Sequence, residues 1–502
     1  MGTYIARRLL LMVPTMLGIS FLVFMLVALS PGGIGASLGD STGDVGRGGG
    51  ALARAYFDDR YGLDEPVLVQ YARWLGRICP LKFGRPDQAD PDGNVIPRPR
   101  PLRPPTLWGW FAAELPAAPP GAPLDAEAAQ REYPRAAGDY ADRRAAFIAA
   151  EVRLRAALTL YARAAGVHGE LSSAGEVRPE ALAKQSPERA RAEWARVEHA
   201  GHEAVQRYGE AIAARARLIE VLDAGPFGAS GLVLVPGALS IAAPDLGRSA
   251  ASQPVATLIG RALPVTLMLN LLAFPAIYAV AIPGGVLAAA RAGGRFDRIT
   301  GLVFVALWSI PIIWAGTMAV GFLADRRYLG WFPVSGLHSP GADSMAFLPG
   351  PGADGRFETG WLVDTLWHIP LPVACLSYAG FAVLAKQTRA AMMDGFSADY
   401  VRTARAKGVP ERDIALRHVL RNSLLPLITM FVQLFPAMLA GSVVVERVFS
   451  IPGMGSLLLA AIQERDREVI LANTIIIAGV NVLALLLADV LYAAADPRVS
   501  YE

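Results

Sequence analysis

Long uncharged, apolar runs alternate with shorter charged segments over much of the chain. A transmembrane helix needs about 20 predominantly apolar residues, and six segments of the sequence have that length and character. The pattern therefore predicts an all-α, polytopic membrane helix bundle with six spans. The predicted spans lie at residues 9–29, 262–290, 299–324, 365–385, 423–445 and 469–488.

The composition agrees with a membrane protein. Hydrophobic residues make up 53% of the chain and charged residues 18%, which is below the roughly 25% of an average soluble domain. The formal net charge of +3 is too small to indicate a nucleic-acid partner. The first apolar run exceeds the roughly 7–15 residues of a secretory signal, so we interpret it as an uncleaved first helix.

The basic residues of the short loops predict the orientation. Arg7 and Arg8 precede the first span, Arg291 follows the second, and eight lysines and arginines lie in the loop at 386–422. With six spans these segments fall on one side of the membrane, which the positive-inside rule makes cytoplasmic. Both the N- and the C-terminus are therefore predicted to be cytoplasmic.

The spans divide the chain into three regions. These are a first transmembrane helix at 1–30, an extracytoplasmic region at 31–254, and a five-helix core at 255–502 that contains the cytoplasmic loop.

A long insert at 86–244 occupies most of the extracytoplasmic region. The segment at 85–123 is dense in proline, with "PRPRPLRPP" at its centre, and we expect it to be extended or irregular. Helical stretches at 125–165 and 187–223 then predict a largely helical insert built on a hairpin. Acidic and basic residues nearly balance there, which disfavours an anion-binding role. The hairpin is either a solvated helical insert or a docking surface for a partner.

Catalytic and metal-binding chemistry is sparse. His199 and His202 share one face of the second predicted hairpin helix, but two ligands alone make a poor metal site. The chain has four lysines and none follows glycine, so no phosphate-binding P-loop can form. The spans carry almost no ionisable residues, unlike those of a proton-coupled carrier. We therefore predict no metal site, no enzymatic activity and an energy source outside this chain.

The charged stretch "DYVRTARAKGVPERDIALRHVLRN" lies between two of the most apolar segments. Ser397 can cap a helix that begins at Ala398, and Gly408 can supply the left-handed residue after its end. Pro410 suits the first position of a second helix. The residues alone leave two interpretations of these two short helices: a solvated basic loop near anionic head groups, or a docking surface for another protein.

Two motifs of this stretch are "YVRTARAKG" at 400–408 and "RHVLRNSLLP" at 417–426. They resemble the cytoplasmic coupling loop of ABC-importer permeases of the dipeptide/oligopeptide/nickel subfamily. Arg402 and Thr403 stand where the general motif has glutamate and alanine, a departure that resembles this subfamily. Further motifs occur in the family's order, namely the first 33 residues, "DLGRS" at 245–249, "GSVVVERVFSIPGMG" at 441–455 and "DPRV" at 496–499.

The resemblance implies a coupling segment that receives the motion of a partner ATPase. Gly408 would be the corner that enters the ATPase, and Ala404 and Ala406 would keep the first helix slim for close approach. The candidate residues of the coupling segment are Tyr400, Ala404, Ala406, Lys407, Gly408, Arg417, Asn422 and Pro426.

A second candidate segment, the outer loop, follows the fifth span. In the family this loop sits near the periplasmic mouth, so it would line or seal that opening; the alternative is a structured connection between two spans. Its candidate residues are Glu446, Phe449, Pro452, Gly453 and Gly455.

The resemblance also implies an importer of the bacterial inner membrane that is assembled from several chains. The partners would be a second homologous permease subunit, two ABC ATPase subunits that hold ATP and magnesium, and a periplasmic solute-binding protein. This chain would hold no cofactor. Peptides are the commonest cargo of the subfamily, while nickel, opines and oligosaccharides occur among its relatives. Other functional classes are a secondary carrier, which would need intramembrane charge, and a membrane receptor with a helical sensor insert, which would need a cytoplasmic signalling domain.

Overall fold

The computed structural model describes residues 2–29, 65–83, 88–90, 95–96, 98–111, 124–165, 190–229, 231–235, 238–249, 251, 253–351 and 357–495. The "DPRV" motif at 496–499 and residues 31–64 of the predicted extracytoplasmic region lie outside the described residues. Over the described part, helices dominate and strands are few and short, which confirms the all-α class.

The described α-helices are, in chain order, α1 (Gly2–Leu29), α2 (Val67–Ile78), α3 (Trp108–Phe111), α4 (Ala126–Ala164), α5 (Arg191–Asp223), α6 (Val255–Ala290), α7 (Arg295–Ser309), α8 (Ile312–Met318), α9 (Gly360–His368), α10 (Pro370–Ser397), α11 (Asp399–Ala406), α12 (Glu411–Asp413), α13 (Leu420–Asn422), α14 (Leu424–Val448), α15 (Met454–Gln463) and α16 (Arg467–Ala495). Two π-helical segments, Ala319–Ala324 and Ile414–Val419, follow α8 and α12 directly, and a 3-10 turn lies at Ala342–Ser344.

The described strands are β1 (Leu81–Phe83), β2 (Gln88–Ala89), β3 (Val95–Ile96), β4 (Gly228–Ala229), β5 (Leu232–Val235), β6 (Leu239–Ile241), β7 (Gly350–Pro351) and β8 (Phe357–Glu358). They form antiparallel sheets in the orders β1-β6-β5, β3-β2-β4 and β7-β8.

The chain divides into two units. One unit, called here the membrane unit, comprises Met1–Phe24 and Leu246–Glu502; the other, the insert unit, comprises Met25–Asp245.

Three described helical segments are long and apolar enough to cross a membrane. They are Arg7–Leu29, Val255–Ala290 and Arg467–Val490, and they contain the first, second and sixth predicted spans. Three pairs of consecutive helices reach the same length and apolar character when each bent pair is counted as one span, which gives up to six spans.

The third and fourth predicted spans are not straight, although their apolar runs are uninterrupted. The chain bends by 95° between α7 and α8. Pro311 cannot continue the helical hydrogen bonds and disfavours a helical residue before it, and Ile310 is accordingly extended, with φ −83° and ψ 121°. In the fourth predicted span, α9 and α10 meet at 40°, where Pro370 begins α10.

Helices α6 and α10 pack closely through two glycines. A Cβ on Gly285 would lie 2.6 Å from the Cβ of Thr388, and a Cβ on Gly380 would lie 2.6 Å from Cδ1 of Ile277. Small residues let helix backbones approach in this way. The core beside this contact is apolar and includes Leu269, Leu371, Leu384, Leu427, Val445 and Phe449.

The insert unit contains the predicted helical hairpin, formed by α4 and α5. Asp125 caps α4 by accepting a 2.7 Å hydrogen bond from the Ala128 N–H. Alanine and larger apolar residues alternate along the contact between the two helices, which are also joined by an ion pair from Arg217 to Glu132 at 2.8 Å. The buried residues of this contact include Ala150, Leu154, Leu158, Tyr161, Val197, Ala200 and Ala204.

The proline-rich segment lies along the hairpin in non-helical form. The Arg215 guanidinium donates to the carbonyls of Pro99 and Arg100, and the Tyr208 hydroxyl donates to the carbonyl of Leu102. Thr106 donates from its N–H and hydroxyl to the Glu151 carboxylate. The two small sheets of the insert unit were not predicted, because strands of two to four residues are too short to show a periodic pattern.

Candidate coupling segment and outer loop

Helix α11 ends in a left-handed turn. Gly408 has φ +74°, its N–H donates to the Arg405 carbonyl at 2.9 Å, and the Val409 N–H donates to the Ala404 carbonyl at 3.1 Å. These two bonds satisfy carbonyls that the end of a helix would otherwise leave open. Gly408 therefore has the left-handed conformation that the sequence predicts, and its added Cβ would meet nothing within 4 Å.

An ion pair closes the same turn on its outer side. The Arg405 guanidinium donates from Nε to Glu411 Oε1 at 2.7 Å and from its second nitrogen to Glu411 Oε2 at 3.2 Å. This two-point arrangement fixes the direction of both side chains. The turn at Lys407–Pro410 is thus held by backbone bonds inside and by a charged pair outside.

Two capping predictions were wrong. Ser397 does not cap α11, because α10 continues through it and the Ser397 hydroxyl donates back to the Asp394 carbonyl at 2.7 Å. Ala398, with φ −72° and ψ 151°, stands before α11 instead. Pro410 does not occupy the first helical position but precedes it, with φ −59° and ψ 141°, and its carbonyl accepts from the N–H groups of Asp413 and Ile414.

The inner face of the coupling segment packs on the membrane helices. Val401 and Ala404 of α11 are buried in a cluster with Val286 of α6, Met392 of α10 and Ile414. The small size of Ala404 therefore serves a contact within this chain. Of the two alanines expected to keep α11 slim for the close approach of another protein, only Ala406 is exposed.

Most of the other residues predicted for the coupling segment lie on its exposed outer face. Pro426 is half-buried at the start of the fifth predicted span. The exposed residues are Tyr400, Ala406, Lys407, Gly408, Arg417 and Asn422.

Close contacts join the end of the coupling segment to α10. A Cβ on Gly395 would lie 2.5 Å from Cγ1 of Val419, and the Ser423 hydroxyl lies 3.2 Å from the Ala391 carbonyl, to which it donates. Between Glu411–Asn422 and Pro426–Pro436 the chain bends by 56°. A displacement of α11 and its turn would therefore act on α10 and on the start of α14 together.

A partly buried ion pair lies on another loop that was predicted to be cytoplasmic. Asp297 of α7 accepts from the Arg389 guanidinium of α10 at 2.6 and 2.7 Å, and its Oδ2 also accepts from the Gly293 N–H at 2.9 Å. Asp297 is buried, so this pair fixes the loop between α6 and α7 to α10.

Glu446 was expected in a loop after the fifth span, but it lies in the last turn of α14, because that helix continues to Val448. The outer loop is organised around this residue, which is fully buried at 0% exposure. Its carboxylate accepts from the Thr266 hydroxyl of α6 at 2.7 Å and from the Ser456 N–H at 2.9 Å. The Thr266 oxygen accepts in turn from the Met454 N–H at 2.8 Å. Glu446 and Thr266 thus satisfy open N–H groups in the first turn of α15, where a negative charge is also favoured by the helix dipole.

The other predicted outer-loop residues surround this carboxylate. A Cβ on Gly453 would overlap the Glu446 carboxylate, and a Cβ on Gly455 would lie 2.5 Å from the Cα of Val443. Phe449 is buried and its carbonyl accepts from the Gly336 N–H at 2.8 Å, while Pro452 is exposed. Glu446 and Phe449 therefore face the interior of this chain.

Comparison with known proteins identifies the family. Residues 281–501, which include the coupling segment and the outer loop, match the family described as "Binding-protein-dependent transport system inner membrane component". The oligopeptide transport system permease protein AppB of Bacillus subtilis (strain 168) is 38% identical over 260 residues, which are 51% of this chain and 76% of that protein. The chain belongs to this family.

A second relative is also named as a peptide-transport permease. The dipeptide transport system permease protein DppB of Escherichia coli (strain K12) is 34% identical over 246 residues, or 47% of this chain and 71% of that protein. A solved inward-facing structure of the MetNI methionine ABC transporter matches 49% of this chain and 99% of its own chain, with 14% identity and a TM-score of 0.37. This similarity is too low to transfer structural detail. The permease is thus a multi-pass membrane subunit of an ABC importer, a class that acts with ATPase and binding-protein partners.

The described residues of the permease contain no group of three or more His, Cys, Asp or Glu side chains that could hold a metal ion. His202 packs edge-on against the Phe111 ring at 5.4 Å between ring centres. This contact gives that histidine a packing role in the insert unit.

The sequence alone did not predict the ion pair of Asp297 with Arg389 or the hydrogen bond of Thr266 with Glu446. Thr266 lies 180 positions from Glu446, and Arg389 lies 92 positions from Asp297. The only signal in the sequence was a lone acidic residue, Asp297, among three arginines of a short basic loop.

Proposed function

We propose that this permease forms part of the translocation path of an ABC importer for peptides. The relatives at 34–38% identity that are named above are an oligopeptide and a dipeptide permease, and this supports peptides over nickel, opines or oligosaccharides. A periplasmic solute-binding protein would deliver the substrate to the permease. The permease would lie in the bacterial inner membrane with both termini in the cytoplasm, because its short basic loops share one side.

The observation that carries the proposal is the exposed turn at Lys407–Pro410. Its backbone is fixed by the bonds of Gly408 and Val409, and its inner side is buried against α6 and α10. A rigid, exposed turn on a short helix that is packed against the membrane helices can receive a push and transmit it. Two ABC ATPase subunits that hold ATP and magnesium would supply that push to this subunit and to a second homologous permease.

The motion would be a rigid-body switch of the domain-closure kind. When the ATPases close, the turn would move α11 and the segment that follows it. The contacts from Val419 to Gly395 and from Ser423 to Ala391 would then carry the movement into α10. Inward- and outward-open arrangements of the spans would alternate as a result.

The outer loop would lie at the periplasmic mouth. Glu446 and Phe449 face the interior, so they would shape this mouth by fixing the outer ends of α6, α14 and α15. The insert hairpin would contact the periplasmic binding protein, because both would lie on the periplasmic side of the membrane.

Transport by the reconstituted complex tests the proposal. The permease, its partner permease and the ATPases are placed in proteoliposomes, and the uptake of labelled di- and oligopeptides is measured with and without ATP and the binding protein. We expect peptide uptake that needs both. ATP-driven uptake of nickel or an oligosaccharide, with none of peptides, would contradict the substrate; peptide uptake that needs neither ATP nor the ATPases would contradict the transporter class.

A further inference from the structure

The three-stranded sheet β1-β6-β5 of the insert unit has its apolar face turned outward. In the antiparallel register, Leu81 pairs with Ile241 and Ile241 with Leu232, while Phe83 pairs with Leu239 and Leu239 with Val235. Residues directly opposite one another lie on the same face of a sheet. A bulge between Val233 and Val235 accounts for the extra residue in β5. One face therefore carries two rows of three apolar residues.

This apolar face is exposed. Phe83 is 82% exposed and Leu232 is 65% exposed. The neighbours Leu81, Val235 and Ile241 are each at least 40% exposed. Contiguous exposed apolar surface of this kind marks a contact with another molecule or with a membrane.

The opposite face of the sheet, which by the register holds Lys82, Ser240 and Val233, is mostly polar. Ser240 is 1% exposed, and Lys82 directs its ammonium group to the carbonyls of Gly76 and Arg77 at 2.7 and 2.6 Å. These carbonyls lie in the last turn of α2, where a cation is favoured. A one-sided sheet ordinarily buries its apolar face and leaves the polar one in water; this sheet has the reverse arrangement.

Helix α2 repeats the inversion. Its inner positions include the buried Gln70 and Trp74, and the Gln70 amide donates to the Glu65 carbonyl at 2.8 Å. Its outer positions include Leu68 and Val69, which are exposed. The sheet and α2 thus both turn aliphatic side chains outward and bury a polar one, Ser240 or Gln70, while α2 also buries the Trp74 ring.

We propose that the apolar face of β1-β6-β5, together with the outer face of α2, lies on the surface of the lipid bilayer. Five of the six residues of the sheet face are leucine, isoleucine or valine, and the sixth is Phe83. The cores of protein–protein interfaces are enriched in aromatic residues, arginine and methionine, and phenylalanine is the only one of these on the face. Aliphatic residues and phenylalanine are favoured in contact with lipid. The described positions of the face carry no charge.

Covalent continuity supports lipid as the occupant. The chain crosses the membrane, and β6 is followed shortly by the span that begins at Val255. A short connection keeps a tethered surface at a high effective concentration near its target, so even a modest affinity for lipid keeps the face in contact.

The contact is shallow. β1 and β5 are the edges of the sheet, and unpaired backbone groups are not tolerated within the hydrocarbon core. The face therefore reaches the boundary between head groups and acyl chains, about 5–10 Å deep, with the strand edges still hydrated.

Fluorescence quenching on the full-length permease in lipid nanodiscs tests the contact. An environment-sensitive dye is attached to Phe83→Cys in a Cys79→Ser background, and the remaining Cys375 is buried. Arg131→Cys, at an exposed position of α4, is the matched control, and Leu232→Cys repeats the test from another strand. The background protein with Cys375 alone gives the labelling blank.

We expect lipids with a nitroxide near the head group to quench the dye at 83 and 232, and aqueous iodide to quench it several-fold less than at 131. Equal iodide quenching at 83, 232 and 131 would overturn the proposal, because the face would then be open to water. Protection of 83 and 232 from both iodide and nitroxide lipids would also overturn it, because a protein would then cover the face.

Discussion

The Glu446 carboxylate accepts a 2.7 Å hydrogen bond from the Thr266 hydroxyl and so joins α14 to α6 at a fully buried point. The same hydroxyl accepts from the Met454 N–H, and the Asn473 amide of α16 donates to the Met454 carbonyl at 2.8 Å. Four helices of the membrane unit therefore meet at this pair and the first turn of α15. The pair fixes the neighbouring ends of these helices relative to one another.

Replacing Thr266 with valine should destabilise the permease by about 1–3 kcal/mol, because the buried Met454 N–H would lose its acceptor and the buried Glu446 carboxylate would lose one of its donors. The thermal unfolding midpoint of the purified permease in nanodiscs measures the effect. Thr257→Val is the matched control, since Thr257 is exposed on the same helix and should change the midpoint little. Equal midpoints for Thr266→Val and the control would contradict the structural role of the pair.

Replacing Gly408 with valine should abolish the stimulation of ATP turnover by the loaded binding protein while the permease stays in the membrane. Gly408 has φ +74°, a conformation that costs most residues about 1–2 kcal/mol and is worse for β-branched ones. Gly408→Asn is the control, because asparagine tolerates the left-handed region. Normal stimulation in the valine variant would reject the coupling role of this turn.

Reversing one charge of the Arg405–Glu411 pair should weaken coupling, and exchanging both should restore it. In Arg405→Glu the carboxylate of Glu411 would face a like charge across the turn, whereas Arg405→Glu with Glu411→Arg keeps an attractive pair. Substrate-stimulated ATP turnover of the assembled complex is the measurement. If the double exchange remained as impaired as the single variants, the residues would act separately, for example by contacting the ATPase directly.

Replacing Asp297 with asparagine should lower stability by about 1–3 kcal/mol. The change removes a charge-assisted pair with Arg389 and one bond from the Gly293 N–H, and it leaves the Arg389 guanidinium without its carboxylate. The thermal midpoint is again the measurement, with Arg298→Gln as the control because Arg298 is exposed on the same helix. A midpoint equal to that of the control would show that the loop does not depend on this pair.

The hairpin and most of the proline-rich segment can be removed together at a point where the flanking chain comes close. Arg98 and Asp223 form an ion pair, so residues 99–222 can be replaced by a short glycine-serine linker. We expect the shortened permease to assemble with the ATPases but to lose much of its binding-protein-dependent uptake. Uptake equal to that of the full chain would contradict a contact between the hairpin and the binding protein.

The sequence predicts best what depends on neighbouring residues. The first, second and sixth spans follow from apolar runs of the right length, and the left-handed Gly408 follows from its place after a short helix. The capping role of Ser397 failed because α10 runs on through it, and local sequence does not fix where a helix stops when tertiary packing extends it. The 95° bend before Pro311 was obscured because membrane helices often contain proline without breaking.

The parts that the sequence could not predict depend on distant partners. Nothing near Glu446 identifies Thr266 as its partner, and nothing near Asp297 identifies Arg389. The sequence also could not predict that Ala404 faces inward, because the eight-residue helix α11 has apolar residues on more than one side. The reversed sheet could not be foreseen either, since "LKF" and "LSI" alternate in the same way whichever face is buried.

Site-specific photo-crosslinking from position 407 tests whether the turn at Lys407–Pro410 contacts an ATPase subunit. A photoreactive amino acid replaces Lys407, which is exposed beside the turn, and in a second protein it replaces Arg131 of the insert. Both are expressed with the full transporter. We expect position 407 to form an adduct with the ATPase subunit and position 131 to form none. An assembled complex that hydrolyses ATP but gives no ATPase adduct from position 407 would contradict this contact.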